Sequence, residues 1–209
     1  MGRYWTITIG REYGSGGHEV GELVAKHLGF GFFDKQIINL AAKQSGIAPE
    51  LFENAEDNRP SPLMADLLVT SYAATGWPIA FDDYSLSGKL FFAQSQVIKQ
   101  EAERGNCVII GRCADYVLRD RENCLNLFVH ASLENRIERI MRVNEVNEKK
   151  ARDIIKTIDR RRANYYNYYT NKDWAAAQSY HVCVDSSFIG VEETAKVISE
   201  MAKGIMAVK

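Results

Sequence analysis

Two hydrophobic periods alternate along the chain. Trp5, Ile7 and Ile9 follow a two-residue period, and the run ends in the glycine-rich stretch Gly10-Arg11-Glu12-Tyr13-Gly14-Ser15-Gly16-Gly17. Val20, Leu23, Val24 and Leu28 then repeat at helical spacing, and Gly29 supplies a stop. The pattern predicts a buried strand, a tight turn and a helix. Phe30 to Phe33 is a short apolar run ending at Asp34, which is expected to cap a helix over Lys35 to Gln44. Gly46 and Pro49 break that helix, and a further short one runs on through Glu56. Glu56 to Pro62 reads as a polar loop, Leu63, Leu67 and Leu68 as another helix, and Thr75 to Pro78 with Asp82-Asp83 as a second loop.

Leu86 to Glu103 is a longer amphipathic helix with Leu90, Phe91, Val97, Ile98 and Ala102 on its inner face. Asn106 to Gly111 is a continuous apolar run of the kind found in buried parallel strands. Leu125 to His130 gives a third strand. Ser132 is expected to cap a helix that turns Leu133, Ile137, Ile140 and Met141 inward and Arg136, Arg139 and Arg142 to other faces. Asn147 to Tyr169 forms one long polar helix or two, His181 to Asp185 a fourth strand, and Gly190 to Lys203 the closing helix. Strands alternating with helices predict an α/β fold whose parallel sheet is covered on both faces. Ligands of such sheets bind at the C-terminal ends of the strands, which brings the Gly14 turn, Asp34 and Arg112 to one rim.

Composition narrows the class only slightly. The 209 residues suffice for one α/β domain, and 25% charged residues with a net charge of −1 give no sign of a nucleic-acid or membrane partner. No apolar run is long enough to span a bilayer, and the N-terminus lacks a signal-peptide core, so a cytoplasmic location is expected. Cys107, Cys113, Cys124 and Cys183 form no C-x-x-C pair and read as buried reduced thiols.

The chemistry concentrates at the first turn. Gly14, Gly16 and Gly17 let backbone N–H groups converge, and the following helix adds the positive end of its dipole. Gly14, Ser15, Gly16, Gly17 and His18 are therefore candidate phosphate-binding residues. Against the phosphate-loop pattern G-x-x-x-x-G-K-(S/T), Arg11 replaces the first glycine, Gly17 the lysine and His18 the hydroxyl residue. Glu19 or Asp34 is the more plausible contact for magnesium, through water; no protein metal cluster is expected. Tyr165, Tyr166, Tyr168, Tyr169 and Trp174 suit either base stacking or packing of a helix on the core.

Several of these pieces together resemble the cytidylate kinase-like proteins. They are Ile9 to His18, Phe33-Asp34, Cys107 to Arg112, His130-Ala131-Ser132 with Arg136 and Arg139, and Asp159-x-x-Arg162. The resemblance covers nearly the whole chain and implies a three-layer α/β/α P-loop kinase fold. It also implies a helical monophosphate-binding insert over about 35–95 and a lid over about 145–175. The implied reaction is phosphoryl transfer from ATP, with Mg2+, to a cytidylate-like nucleoside monophosphate or related small acceptor. The implied acceptor residues are Asp34, Lys35, Arg112, Asp159 and Arg162, with Arg136 and Arg139 at the transferring phosphates. Phosphoryl transfer needs positioning and positive charge, so Arg11, Arg139 and Arg162 are the candidates to replace the missing lysine. The competing reading is a catalytically weak nucleotide-binding protein with a regulatory role.

Overall fold

The computed structural model describes residues 4–49, 51–52 and 86–208. The expected helix around Leu63, both loops between Glu56 and Asp83 and most of the expected insert lie outside the described residues. Within them the strands are β1 (Thr6–Arg11), β2 (Gly31–Phe33), β3 (Cys107–Ile110), β4 (Cys124–His130) and β5 (Val182–Asp185). The helices are α1 (Gly17–Leu28), α2 (Lys35–Ser45), α3 (Leu86–Arg104), α4 (Ala114–Val117), α5 (Leu133–Asn144), α6 (Glu148–Thr170), α7 (Ser186–Ile189) and α8 (Val191–Val208). One sheet forms in the order β2-β3-β1-β4-β5, with every pairing parallel.

The hydrophobic pattern predicts four strands; the fifth is β2. Its three residues are too short to show a period, and only pairing with β3, Gly31 beside Cys107 through Phe33 beside Ile109, makes the run a strand. The β3 run is apolar throughout because both of its faces are covered. Cys107 and Ile109 join the core under α2, α3 and α4, whereas Val108 and Ile110 join Ile7, Ile9, Val20, Val24 and Ile198 on the side of α1 and α8. This is the three-layer α/β/α architecture, with β1 at the centre and the Gly14 turn at its C-terminal end.

The polar segment after Asn147 forms one helix. Asn147 Oδ1 caps it by accepting from Lys150 N at 2.9 Å, and Ala151 and Ile155 pack it on Ile137 and Ile140 of α5. Ser132 caps α5 as expected, accepting from Asn135 N at 3.3 Å. Two expectations for α5 fail: Leu133 is exposed, and Arg136 is buried. Asp34 occupies the position before α2 but makes no side-chain cap, because its carboxylate turns toward Arg112 and His18.

Three of the four cysteines are buried and Cys183 is exposed. Burial pushes the Cys107 thiol up and the Cys124 thiol up to about 12, so almost no thiolate exists there at pH 8. Ellman titration of the native protein at pH 8 should therefore read one equivalent promptly, from Cys183, and the other three only after unfolding. Two or more prompt equivalents would contradict this burial.

Candidate functional site

The turn between β1 and α1 needs glycine at two places. Gly14 and Gly16 have φ of 84° and 76°, the left-handed region that glycine enters without cost. A Cβ on Gly16 would lie 2.6 Å from Val191 Cγ2, and one on Gly17 would lie 2.5 Å from Arg11 Cβ. The buried Ser15 braces the turn from inside. Its hydroxyl donates to Glu12 O at 2.9 Å and accepts from Gly17 N at 3.2 Å, while Ser186 Oγ donates to Ser15 O at 2.6 Å. Among the described residues, the amides of Gly14, Gly16, His18 and Glu19 take no protein partner. Four donors converging at a helix N-terminus are able to hold an anion.

A buried ion network holds the N-terminal half of the turn. Arg136 Nε donates to Tyr13 O at 2.8 Å, its Nη1 pairs with Glu12 Oε1 at 3.0 Å, and its Nη2 pairs with Asp159. Asp159 Oδ1 also accepts from Tyr13 N at 2.8 Å, and Glu12 Oε2 accepts from Ala131 N at 3.1 Å. The turn, β4, α5 and α6 are thus joined through one guanidinium. The resemblance put Arg136 at the transferring phosphates and Asp159 at the acceptor; in the structure the two are bound to each other and to the loop backbone.

The candidate cations separate into two groups. Arg139 pairs with Glu19, and its guanidinium lies against Gly16, 3.3 Å from where a Cβ would be. It lines a hollow of about 290 Å³ together with Gly14, Asn135, Arg142, Ser187 and Val191. Arg11 runs the other way. Its guanidinium crosses to Gly111, where it leaves no room for a Cβ. Arg162 Nη1 donates to Arg11 O at 3.1 Å, with its guanidinium 5.6 Å from the centre of the Tyr13 ring. Arg11, Arg112 and Arg162 all line a smaller cavity of about 40 Å³ at the ends of β1 and β3.

At that rim the expected grouping of Asp34 with Arg112 is present. Arg112, 7% exposed, donates from Nε to Asp34 O at 3.3 Å, and its Nη2 lies 3.7 Å from Asp34 Oδ1. His18 Nε2 lies 3.2 Å from Asp34 Oδ2, and its ring meets Phe32 edge-on, so His18 faces Asp34 across the rim. Lys35 is exposed at the start of α2. Gly111, Arg112 and Cys113 have φ of 66°, 58° and 53°, three successive left-handed residues of which two carry side chains. Backbone strain of this kind, about 1–3 kcal/mol for each such residue, persists only where the surroundings impose it.

The aromatic residues of α6 and the segment after it make packing contacts, and Tyr165, Tyr166 and Trp174 also line the cavity at the ends of β1 and β3. Tyr169 stacks on Phe91 of α3 with centroids 4.0 Å apart, Tyr165 meets both rings edge-on, and Trp174 meets Phe128. Tyr166 OH donates to Asp115 Oδ2 at 2.7 Å. Burial pushes the Asp115 carboxyl up and, with the Asp115 charge beside it, the Tyr166 hydroxyl up as well. Sequence reading singled out neither Asp115 nor Ser186. A lone aspartate in a short helix and a serine after a strand carry no period to mark them. Among the described residues no cluster of three or more metal-ligating side chains occurs, and no helix is long and apolar enough to cross a membrane.

A family model described as the cytidylate kinase-like family matches residues 6–188, from β1 through α7. The chain belongs to that family. As a cytidylate kinase-like protein it shares its fold with several solved structures. An uncharacterized protein from Eubacterium ventriosum is 23% identical, with a TM-score of 0.71 over 95% of this chain and 98% of that one. Shikimate kinase from Bacteroides thetaiotaomicron is 11% identical, with a TM-score of 0.50 over 95% and 98%. A gluconokinase from Sinorhizobium meliloti is 16% identical, with a TM-score of 0.50 over 100% and 99%. At these identities the likeness is one of fold. No curated protein matches the chain.

Proposed function

We propose that this cytidylate kinase-like protein transfers the γ-phosphoryl group of ATP to a small acceptor, with a cytidylate-like nucleoside monophosphate as the first candidate. The observation that carries the reading is the division of positive charge about the Gly14–Gly17 turn. One hollow holds Arg139 and Arg142, and a separate cavity holds Arg11, Arg112 and Arg162. In-line transfer requires donor and acceptor to approach the moving group from opposite sides.

In this reading the triphosphate lies on the amides of Gly14, Gly16, His18 and Glu19, and the nucleoside fills the hollow beside Arg139. Arg139 supplies the full charge that a loop lysine would give, with a guanidinium that stays protonated. Arg112 and Arg162 hold the acceptor, with Asp34 and Lys35 at its rim, and Arg11 draws the two sites together. A monophosphate acceptor attacks with an oxygen that is already ionised, so no base has to remove a proton. Asp159 acts through Tyr13 and Arg136, fixing the loop, and α6 takes the part of a lid. Magnesium would enter with the phosphates, and Glu19, a partly exposed carboxylate at the turn that pairs with Arg139, would hold it through water. It would supply Lewis-acid charge at the phosphates. Nucleic acid and membrane have no place in this scheme, and a cytoplasmic enzyme is proposed.

The test is single-turnover transfer from radiolabelled ATP with magnesium to CMP, dCMP and a set of small hydroxy acids. Label is expected on at least one acceptor. ATP binding without transfer to any of them would replace the kinase by a nucleotide-binding protein, the reading that the missing lysine favours.

A further inference from the structure

The amides of the Gly14–Gly17 turn are aimed from behind. A trans peptide is planar, with its C=O and N–H directed oppositely, so whatever holds a carbonyl oxygen also directs the amide of the next residue. Two of these amides are directed in this way by buried side chains. Arg136 Nε holds Tyr13 O at 2.8 Å, which turns the Gly14 N–H away from Arg136. Ser186 Oγ donates to Ser15 O at 2.6 Å, which turns the Gly16 N–H away from Ser186. Ser186 is 4% exposed, so the amide that faces away from it faces out of the core. His130 O lies 3.0 Å from the same hydroxyl oxygen, but a hydroxyl has one hydrogen, and the shorter contact takes it.

The Ser15–Gly16 peptide depends on that hold. Gly16 has φ 76° and ψ 6°, the values of the third residue of a type II turn. A half-rotation of the preceding peptide would take its φ to about −90°, as in a type I turn. Glycine enters both regions at little cost, so its own backbone does not choose between them. The rotated peptide would present Ser15 O where the Gly16 N–H now stands, an acceptor facing an anion. A buried hydroxyl is itself costly unless it is bonded, and alanine would fill the place. The hydroxyl is also held on a fixed corner. Ser186 follows β5 directly, Asp185 Oδ1 accepts from Ser187 N at 2.8 Å, and Val191 Cγ2 packs beside Gly16. We propose that Ser186 is a positioning residue for the nucleotide, whose hydroxyl fixes the Ser15–Gly16 peptide so that the Gly16 N–H donates to a phosphate oxygen. The inference rests on the reading that the Gly14–Gly17 turn holds the triphosphate.

Ser186→Ala removes the hydroxyl, and Ser186→Cys removes most of the donor while filling the volume. With 13C in serine carbonyls and 15N in glycine amides, the peptides selected by NMR are 15–16, 45–46 and 87–88, the Ser–Gly pairs of the sequence. Pyrophosphate and ATP are titrated with magnesium into each protein, calorimetrically and by NMR, and each free protein is melted. In wild type the Gly16 amide proton is expected to move downfield on saturation with pyrophosphate. Both variants should bind ATP and pyrophosphate about tenfold more weakly, without that shift. Their melting temperatures should fall by no more than about 4 °C, as for one lost buried hydrogen bond in a chain of this size. Should Ser186→Ala melt far below that, Ser186→Cys decides by the same two readings. ATP affinity within about twofold of wild type in either folded variant, or a wild-type Gly16 amide that pyrophosphate leaves unmoved, overturns the proposal. If that happens while wild type transfers phosphate, the kinase reading stands without Ser186. Ser186-dependent ATP binding with no transfer to any acceptor would sink the kinase reading and leave Ser186 standing.

Discussion

Arg136→Met is expected to destabilise the protein by about 3 kcal/mol, lowering the melting temperature by roughly 6–12 °C for a chain of this size. The Arg136 side chain is 7% exposed, and its guanidinium is shared by Tyr13 O, Glu12 and Asp159. Removing it leaves two carboxylates facing each other without a counter-charge. The figure is taken at the low end of the range for broken buried pairs because Glu12 and Asp159 keep 23% and 16% exposure and can recover some hydration. Arg136→Lys should recover only part of the loss, since an ammonium restores the charge but not the fork that reaches three partners. Because Arg136 and Asp159 hold both the carbonyl and the amide of Tyr13, nucleotide affinity should fall together with stability in Arg136→Met. Thermal unfolding with and without ATP checks both. A melting temperature within 2 °C of wild type would show that the network contributes little net energy.

The second large effect concerns rate. Arg139→Ala is expected to lower single-turnover transfer by about 10²–10³-fold, the usual cost of removing one preorganised transition-state donor, while changing ATP affinity only severalfold. The reason is geometric. Of the three cations considered as substitutes for the loop lysine, Arg139 alone touches Gly16, whereas Arg11 reaches Gly111 and Arg162 ends on the Arg11 carbonyl. Backbone amides carry only partial charges; a full charge aimed at the moving phosphoryl group adds stabilisation where charge redistributes in the transition state. Arg11→Ala and Arg162→Ala should instead act mainly through acceptor affinity. A variant lacking Arg139 that keeps the wild-type rate would remove it from the charge-compensation account.

Much of this arrangement was legible in the sequence. A two-residue period marked β1, largely apolar runs marked β3, β4 and β5, and helical periods marked the long helices, because burial on both sheet faces leaves such runs. The glycines of the turn were legible too, since left-handed backbone next to a helix start favours them so strongly.

Other features came only from tertiary structure. A three-residue strand such as β2 exists through its neighbour β3 and has no period of its own. Arg136 reads as a surface residue, as most arginines are, until Glu12 and Asp159, 124 positions away and 23 positions away, are brought to it by the packing of α5 and α6 on each other and on the turn after β1. Asp34 had the sequence of a helix cap, and a capping bond is worth only about 1 kcal/mol. The buried Arg112 beside it, delivered by the parallel register of β2 and β3, claims the carboxylate instead. Sequence determined which segments bury and where backbone can turn, because those depend on residues close along the chain. Which charges meet, and so which arginine faces the loop, was decided by long-range packing.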